Sequence, residues 1–174
     1  MKKLLSIATL LVLTMWANAQ TVYLCKDGDY TTANITQGME IDLTAGYDSV
    51  TFAKPQMAPV VKITYNGTSA SVAVPSFLSG VTASVSGANV TITSENTTDE
   101  VTYATSGQSA DGSLTIIGSY KLTLALNGLD LTSATGAAID IQCGKRTEIV
   151  LGEGTVNSLT DAATGTQKGC LRGK

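Results

Sequence analysis

The sequence predicts an all-β protein, and two local patterns together with one long-range repeat carry that prediction. In short runs such as residues 60–65, 81–85 and 122–126, apolar side chains alternate with polar ones, which is the period of a half-buried strand. Turn-forming residues such as Asn66-Gly67 lie between these runs, and Asn127-Gly128 is likewise expected to form a turn. Apolar residues at helical spacing are scarce, so we expect short strands joined by tight turns.

The long-range repeat lies in the last third of the chain. Leu124 and Leu126 are each followed 25 positions later by another large apolar residue, Ile149 and Leu151. A repeat of this length with several short strands is typical of a solenoid, in which each strand pairs with its equivalent one turn away. The repeat therefore predicts a parallel β-helix, and an ordinary sandwich or antiparallel meander is the alternative.

The N-terminus has the pattern of an export signal. Lys2 and Lys3 precede an apolar run at residues 4–15, and the small residues of Ala-Asn-Ala at 17–19 follow it. The apolar run is shorter than the roughly 20 residues of a membrane-spanning helix. We expect cleavage after Ala19, which makes the protein secreted, periplasmic or exposed at the cell surface, with no membrane insertion afterwards. An uncleaved anchor helix is the alternative.

Three segments are predicted from these patterns. Residues 1–19 form the signal peptide, and residues 20–59 form a short strand module that ends in a linker containing Pro55 and Pro59. Proline resists both helices and central strands, so this linker is expected to separate two folded parts. Residues 60–174 form the main β domain.

Charge and composition exclude several functions. The chain has a net charge of −3, and removal of the signal peptide with its two lysines leaves 9 basic against 14 acidic residues, a net charge of −5. This balance gives no electrostatic reason to bind nucleic acid or an anionic membrane. The chain contains no histidine, which excludes Ser-His-Asp and Cys-His catalysis and most zinc sites.

The three cysteines, Cys25, Cys143 and Cys170, have no tight spacing. They could form one disulfide and leave one free thiol, as an oxidising compartment allows. The alternative, which we favour because the spacing is not tight, is that all three are small buried hydrophobic residues. No CxxC motif is present, so neither a redox site nor a zinc site is indicated.

A combination of motifs in the second half resembles a known family. Residues 124–131 (LALNGLDL), 136–141 (GAAIDI) and 148–161 (EIVLGEGTVNSLTD) look like a bacterial family of carbohydrate-binding domain proteins. The resemblance covers roughly residues 60–174. It implies a right-handed parallel β-helix related in fold to pectate lyases. Members of that family continue for several more turns of the helix, so we expect this chain to be a C-terminally truncated member.

The resemblance also implies a secreted, non-catalytic protein that binds acidic plant-type polysaccharide or cellulose with the help of calcium. Calcium prefers six to eight oxygen ligands from carboxylates, carbonyls and water. Strand alternation places Asp130 and Asp140 on the outward face, where they could form a ligand cluster or simply keep the surface soluble. The candidate metal ligands are Asp130, Asp140, Glu153 and Asp161.

Four further residues are candidates for contact with a polysaccharide. Lys145 and Arg146 form the basic pair of the second half and could bind an acidic sugar, or they could lie in a solvated turn. Asn127 and Asn157 could donate to a ligand, although an asparagine at such a position more often supports the backbone.

The leading hypothesis is therefore a secreted, non-catalytic protein that binds acidic, uronate-containing polysaccharide with the help of calcium. The alternative is a structural or adhesive surface protein without a dedicated sugar site. A lyase is the third candidate, because Arg146 or Arg172 could abstract a proton next to a uronate carboxylate.

Overall fold

The computed structural model describes residues 20–35, 46–166 and 169–173. The chain consists of two compact units, Met1–Ala58 and Pro59–Lys174. The predicted signal peptide, its cleavage site after Ala19 and the basic residue Lys168 lie outside the described residues.

The first unit contains a small antiparallel sheet in the order β2-β1-β3. Its strands are β1 (Gln20–Lys26), β2 (Asp29–Ile35) and β3 (Ser49–Thr51). Asp27 and Gly28 connect β1 to β2 with φ angles of 53° and 82°, the two positive values that a two-residue hairpin turn requires. Among the described residues of this unit, Val22, Leu24 and Cys25 are buried.

The second unit begins with two hairpins. The first joins β4 (Val60–Asn66) to β5 (Ser69–Ala73), and the second joins β6 (Val81–Ser86) to β7 (Asn89–Ser94). In both hairpins two residues form the turn, since Asn66 pairs with Ser69 and Ser86 pairs with Asn89. The alternation in the sequence predicted these strands, and the turn-forming residues lie where the chain reverses.

The remaining strands alternate between two sheets. These strands are β8 (Val101–Ser109), β9 (Ser113–Gly118), β10 (Leu122–Thr132), β11 (Ile139–Cys143), β12 (Thr147–Leu151), β13 (Ser158–Thr160) and β14 (Leu171–Gly173). Sheet I has the order β12-β10-β8-β4-β5, with β13 also paired to β10, and sheet II has the order β14-β11-β9-β7-β6.

From β8 onward, each strand pairs in parallel with the strand from the previous pass through its sheet. Leu124 of β10 pairs with Ile149 of β12, which is the pairing that the 25-residue spacing predicted. In sheet II, Ile139 of β11 likewise pairs with Leu114 of β9. Parallel pairing between successive passes brings side chains from distant parts of the sequence into rows that cross the strands.

One apolar core contains side chains from both sheets. Ile63 and Leu124 of sheet I and Ile92 and Ile116 of sheet II are fully buried in it. The hydroxyl of Tyr65 donates a hydrogen bond of 3.0 Å to the Ser113 carbonyl. Polar side chains that alternate with the buried ones, such as Lys62 and Thr64 in β4, are exposed.

The all-β class is confirmed, since no helix occurs among residues 20–35, 46–166 and 169–173. In the same residues no helix is long and apolar enough to cross a membrane. The right-handed parallel β-helix stays a prediction. One local expectation was wrong: Asn127-Gly128 does not form a turn but lies inside β10, where the register shifts between Leu126 and Leu129.

Candidate functional site

The four predicted metal ligands lie in four different parts of the second unit. Asp130 is exposed on β10 in sheet I, whereas Asp140 is half-buried on β11 in sheet II. Glu153 is exposed in the turn after β12, and Asp161 is half-buried after β13. In the described part of the chain, no three or more Asp, Glu, Cys or His side chains converge on one point. These residues therefore do not fit the many-oxygen donor set that calcium requires.

Asp140 has its own neighbours. Its Oδ2 accepts a hydrogen bond of 2.9 Å from Gln142 Nε2. Arg172 of β14 is its register partner, and the Arg172 Nε lies 3.4 Å from Oδ1, at ion-pair distance but without hydrogen-bond geometry. These contacts indicate that Asp140 helps to hold β14 against β11.

The basic pair divides into two different environments. Lys145 is exposed, whereas Arg146 donates to Glu148 at 3.0 Å and also forms an ion pair with Glu100. Lys121 lies 3.2 Å from the other oxygen of Glu100. Glu100, Lys121 and Arg146 each precede a strand of sheet I, so their opposite charges meet at one end of that sheet. Arg146 is thus already engaged by two carboxylates.

Asn157 supports the irregular part of β10. Its Oδ1 accepts hydrogen bonds from the backbone N–H groups of Gly128 and Leu129, at 2.9 and 2.8 Å. Gly128 has a φ of 76°, and the two N–H groups lie at the register shift, where the ladder pairing is interrupted. Asn127 is exposed, and its Oδ1 lies 2.6 Å from the point where a Cβ on Gly152 would be. The geometry favours the structural role for Asn157.

Four polar residues that share one register form a row across sheet I. Asn66 of β4 pairs with Gln108 of β8, Gln108 pairs with Asp130 of β10, and Asp130 pairs with Ser158 of β13. All four side chains are exposed. We call these residues, Asn66, Gln108, Asp130 and Ser158, the polar row.

A shallow depression lies over the middle of the polar row. It has a volume of about 330 Å³ and is open to solvent. Asp130 is the one charged residue that lines it, and no basic or aromatic side chain does so. The lining residues are Gly67, Gln108, Ser109, Ala110, Asp130 and Thr132.

Sequence reasoning found Asp130 but missed its partners. A uniform 25-residue spacing does not connect Gln108 to Asp130, because the two residues are 130 − 108 = 22 positions apart, whereas the 25-residue offset is that of β10 with β12. The signal that could have found them is the alternation within each strand. Tyr65 and Leu129 are buried, so their strand neighbours Asn66 and Asp130 lie on the exposed face.

The cysteines do not form a disulfide. Cys25 and Cys143 are buried free thiols, and Cys170 is half-buried and also free. The Cys143 Sγ lies 3.0 Å from the Tyr120 carbonyl oxygen. Cys25 and Cys143 are thus each a small buried side chain within its own unit.

Comparison with known proteins identifies one relationship. A family model described as "Carbohydrate-binding domain-containing protein" matches residues 86–173, half of the chain. The matched region contains β8, β10 and β13 and thus three of the four residues of the polar row. No curated protein and no solved structure matches the chain.

Proposed function

The chain belongs to the family of carbohydrate-binding domain-containing proteins, and on this premise we propose that it binds polysaccharide without cleaving it. The family match is the observation that carries the proposal. It supports carbohydrate as the ligand.

The polar row offers groups that suit sugar hydroxyls. The amides of Asn66 and Gln108 both donate and accept hydrogen bonds, the Asp130 carboxylate accepts them, and the Ser158 hydroxyl does both. Sugar hydroxyls are likewise donors and acceptors, so an exposed row of this kind can satisfy several of them at once. No aromatic side chain lines the depression, so hydrogen bonds rather than ring stacking would supply the affinity.

The non-catalytic part of the proposal rests on the family description and on the available side chains. The chain has no histidine, so the Ser-His-Asp and Cys-His arrangements are absent from its sequence. Arg146, a candidate lyase base, is held between Glu100 and Glu148. We expect no unsaturated uronate to form, as measured by ultraviolet absorbance, when the protein is mixed with pectic polysaccharides.

We also propose that the protein works outside the cytoplasm. The support is the export pattern of residues 1–19, with its basic start, apolar run and small-residue cleavage site. N-terminal sequencing of protein recovered from cells should begin at Gln20. A protein that retains Met1 would contradict the proposed cleavage.

The family resemblance suggested a more specific function, in which the protein binds an acidic glycan through a bridging calcium ion. The described residues offer no converging donor set for that ion, so calcium has no step in the proposed binding. The binding experiment still includes it as an outcome.

The experiment measures binding of the purified protein to immobilised neutral and uronate-containing polysaccharides, in calcium and in EDTA. We expect saturable binding to at least one polysaccharide. Binding that EDTA abolishes would restore the role of calcium. A lack of binding to every polysaccharide in both conditions would overturn the proposed function and favour a structural or adhesive protein.

A further inference from the structure

We infer that the polysaccharide lies along the polar row, across the strands of sheet I, and that it is an uncharged glycan. This inference rests on the proposed function and names the site and the ligand class. It concerns Asn66, Gln108, Asp130 and Ser158, with Thr132 beside them in the depression.

The direction of the ligand follows from the register. The four residues of the polar row lie on four neighbouring strands, so the row crosses three interstrand steps. At about 4.8 Å per step, the row is about 14 Å long, which is enough for a few consecutive sugar rings. A ligand that followed one strand instead would meet one outward side chain at every second residue, about 6.6 Å apart.

The side chains of the row are available for a ligand. Gln108, Asp130 and Ser158 make no side-chain hydrogen bond to another residue of the described ranges, and neither does the Asn66 amide. Thr132 pairs with Thr160 two positions further along the same strands, which adds two hydroxyls beside the row. Gly67, with no side chain and a φ of 65°, borders the depression and leaves room above Gln108.

The charge of the site determines the ligand class. Among the described residues, Asp130 is the one ionisable residue that lines the depression, and no cation lines it. A uronate carboxylate placed on Asp130 would meet a like charge, which is unfavourable. Among the described residues, no group of three or more Asp, Glu, Cys or His side chains gathers there to hold a metal ion. The nearest cation on the outward face of β4 is Lys62, four residues from Asn66 and therefore about 13 Å along the strand. A neutral, hydroxyl-rich polysaccharide avoids this repulsion and can donate to the Asp130 carboxylate.

The test compares variants in the polar row with matched variants outside it. Gln108→Ala and Asp130→Asn change the row, whereas Gln56→Ala and Glu95→Gln make comparable changes at exposed residues elsewhere. Affinity for neutral and uronate polysaccharides is measured by affinity electrophoresis, and folding of every variant is checked by urea unfolding.

We expect wild-type protein to prefer the neutral polysaccharides. Loss of a neutral hydrogen bond in Gln108→Ala should weaken neutral-glycan binding roughly fivefold, and loss of a charged acceptor in Asp130→Asn roughly tenfold or more. The two control variants should bind as wild type does. Asp130→Asn should also reduce the preference for neutral over uronate polysaccharides, which a purely structural role of Asp130 would not do.

The possible failures are distinguishable. If wild type binds no polysaccharide, the proposed function falls and this inference falls with it. If wild type binds and the row variants bind equally well, the function stands and the site is wrong. If wild type prefers uronate polysaccharides, the function stands and the assignment of an uncharged ligand is wrong.

Discussion

Replacing Gly107 with alanine tests the register between β4 and β8, on which the polar row depends. Gly107 pairs with Tyr65 and has a φ of 87°. A Cβ at this position would lie 2.1 Å from the Tyr65 carbonyl oxygen and 3.0 Å from the carbonyl carbon. Because the obstacle is backbone, no side-chain rotation can relieve the overlap, and the two strands would have to separate.

The expected cost follows from three contributions. An alanine in the left-handed region costs about 1–2 kcal/mol. Separation of the strands also disturbs the neighbouring hydrogen bond from Gly67 N–H to the Gln108 carbonyl, 2.8 Å long and worth about 1 kcal/mol. Tyr65 is buried, so displacing it endangers its packing and its bond to the Ser113 carbonyl. We expect Gly107→Ala to lower the free energy of unfolding by about 3–5 kcal/mol, near the upper end for single substitutions.

Gly128→Ala is the matched control. Gly128 also has a positive φ, 76°, but a Cβ there would meet nothing within 4 Å, so only the conformational cost of about 1–2 kcal/mol applies. Equilibrium urea unfolding, monitored by far-ultraviolet circular dichroism, gives the free energy of unfolding of both variants. The urea midpoints are compared at the same slope of free energy against urea concentration. Equal losses in the two variants would refute the close approach of β4 and β8 at this pair.

Two further predictions concern a side chain that supports the backbone and the pH dependence of stability. Asn157→Ala should lower the free energy of unfolding by about 2–3 kcal/mol, because two N–H groups of β10 lose their acceptor. Asn157→Asp keeps an acceptor and should lose clearly less in the same urea experiment; an equal loss would contradict this role. Burial raises the pKa of Tyr65, and it raises that of Tyr103 against a smaller opposing effect of its hydrogen bond with Ser94. The unfolded chain therefore releases these protons first, and stability should fall above about pH 10 by up to 1.4 kcal/mol per pH unit for each tyrosine. Urea unfolding between pH 8 and 11 should show a shallower decline for Tyr65→Phe than for wild type, and parallel declines would contradict the assignment.

Local sequence patterns predicted the strands well, because alternation and turn chemistry act over a few residues. The hairpin at Asn66 and the pairing of Leu124 with Ile149 are examples of a turn signal and a repeat that correspond to the observed register. The turn prediction at Asn127-Gly128 was wrong. The positive φ at Gly128 occurs at a register shift inside β10, where the Asn157 side chain accepts hydrogen bonds from the backbone N–H groups.

The candidate site could be predicted only in part, because its residues come together through pairing between distant passes. Alternation correctly indicated that Asp130 is exposed, but it could not separate Asp130 from Asp140, which lies in the other sheet. Arg146 looked free to bind a ligand because Glu100, its partner, lies 46 positions earlier in the chain.

The sequence by itself determined the all-β class, the acidic balance and the absence of histidine chemistry, since these depend on composition and on contacts between near neighbours. The tertiary structure decided which exposed side chains stand side by side. An irregularity between Leu126 and Leu129 shifts the register of β10 against β8, so that Asp130 pairs with Gln108. The separate pairing of β10 with β13 brings Asp130 next to Ser158. Strand pairing has a fixed side-chain period, so one shift changes every neighbour beyond it, and no local pattern records the shift.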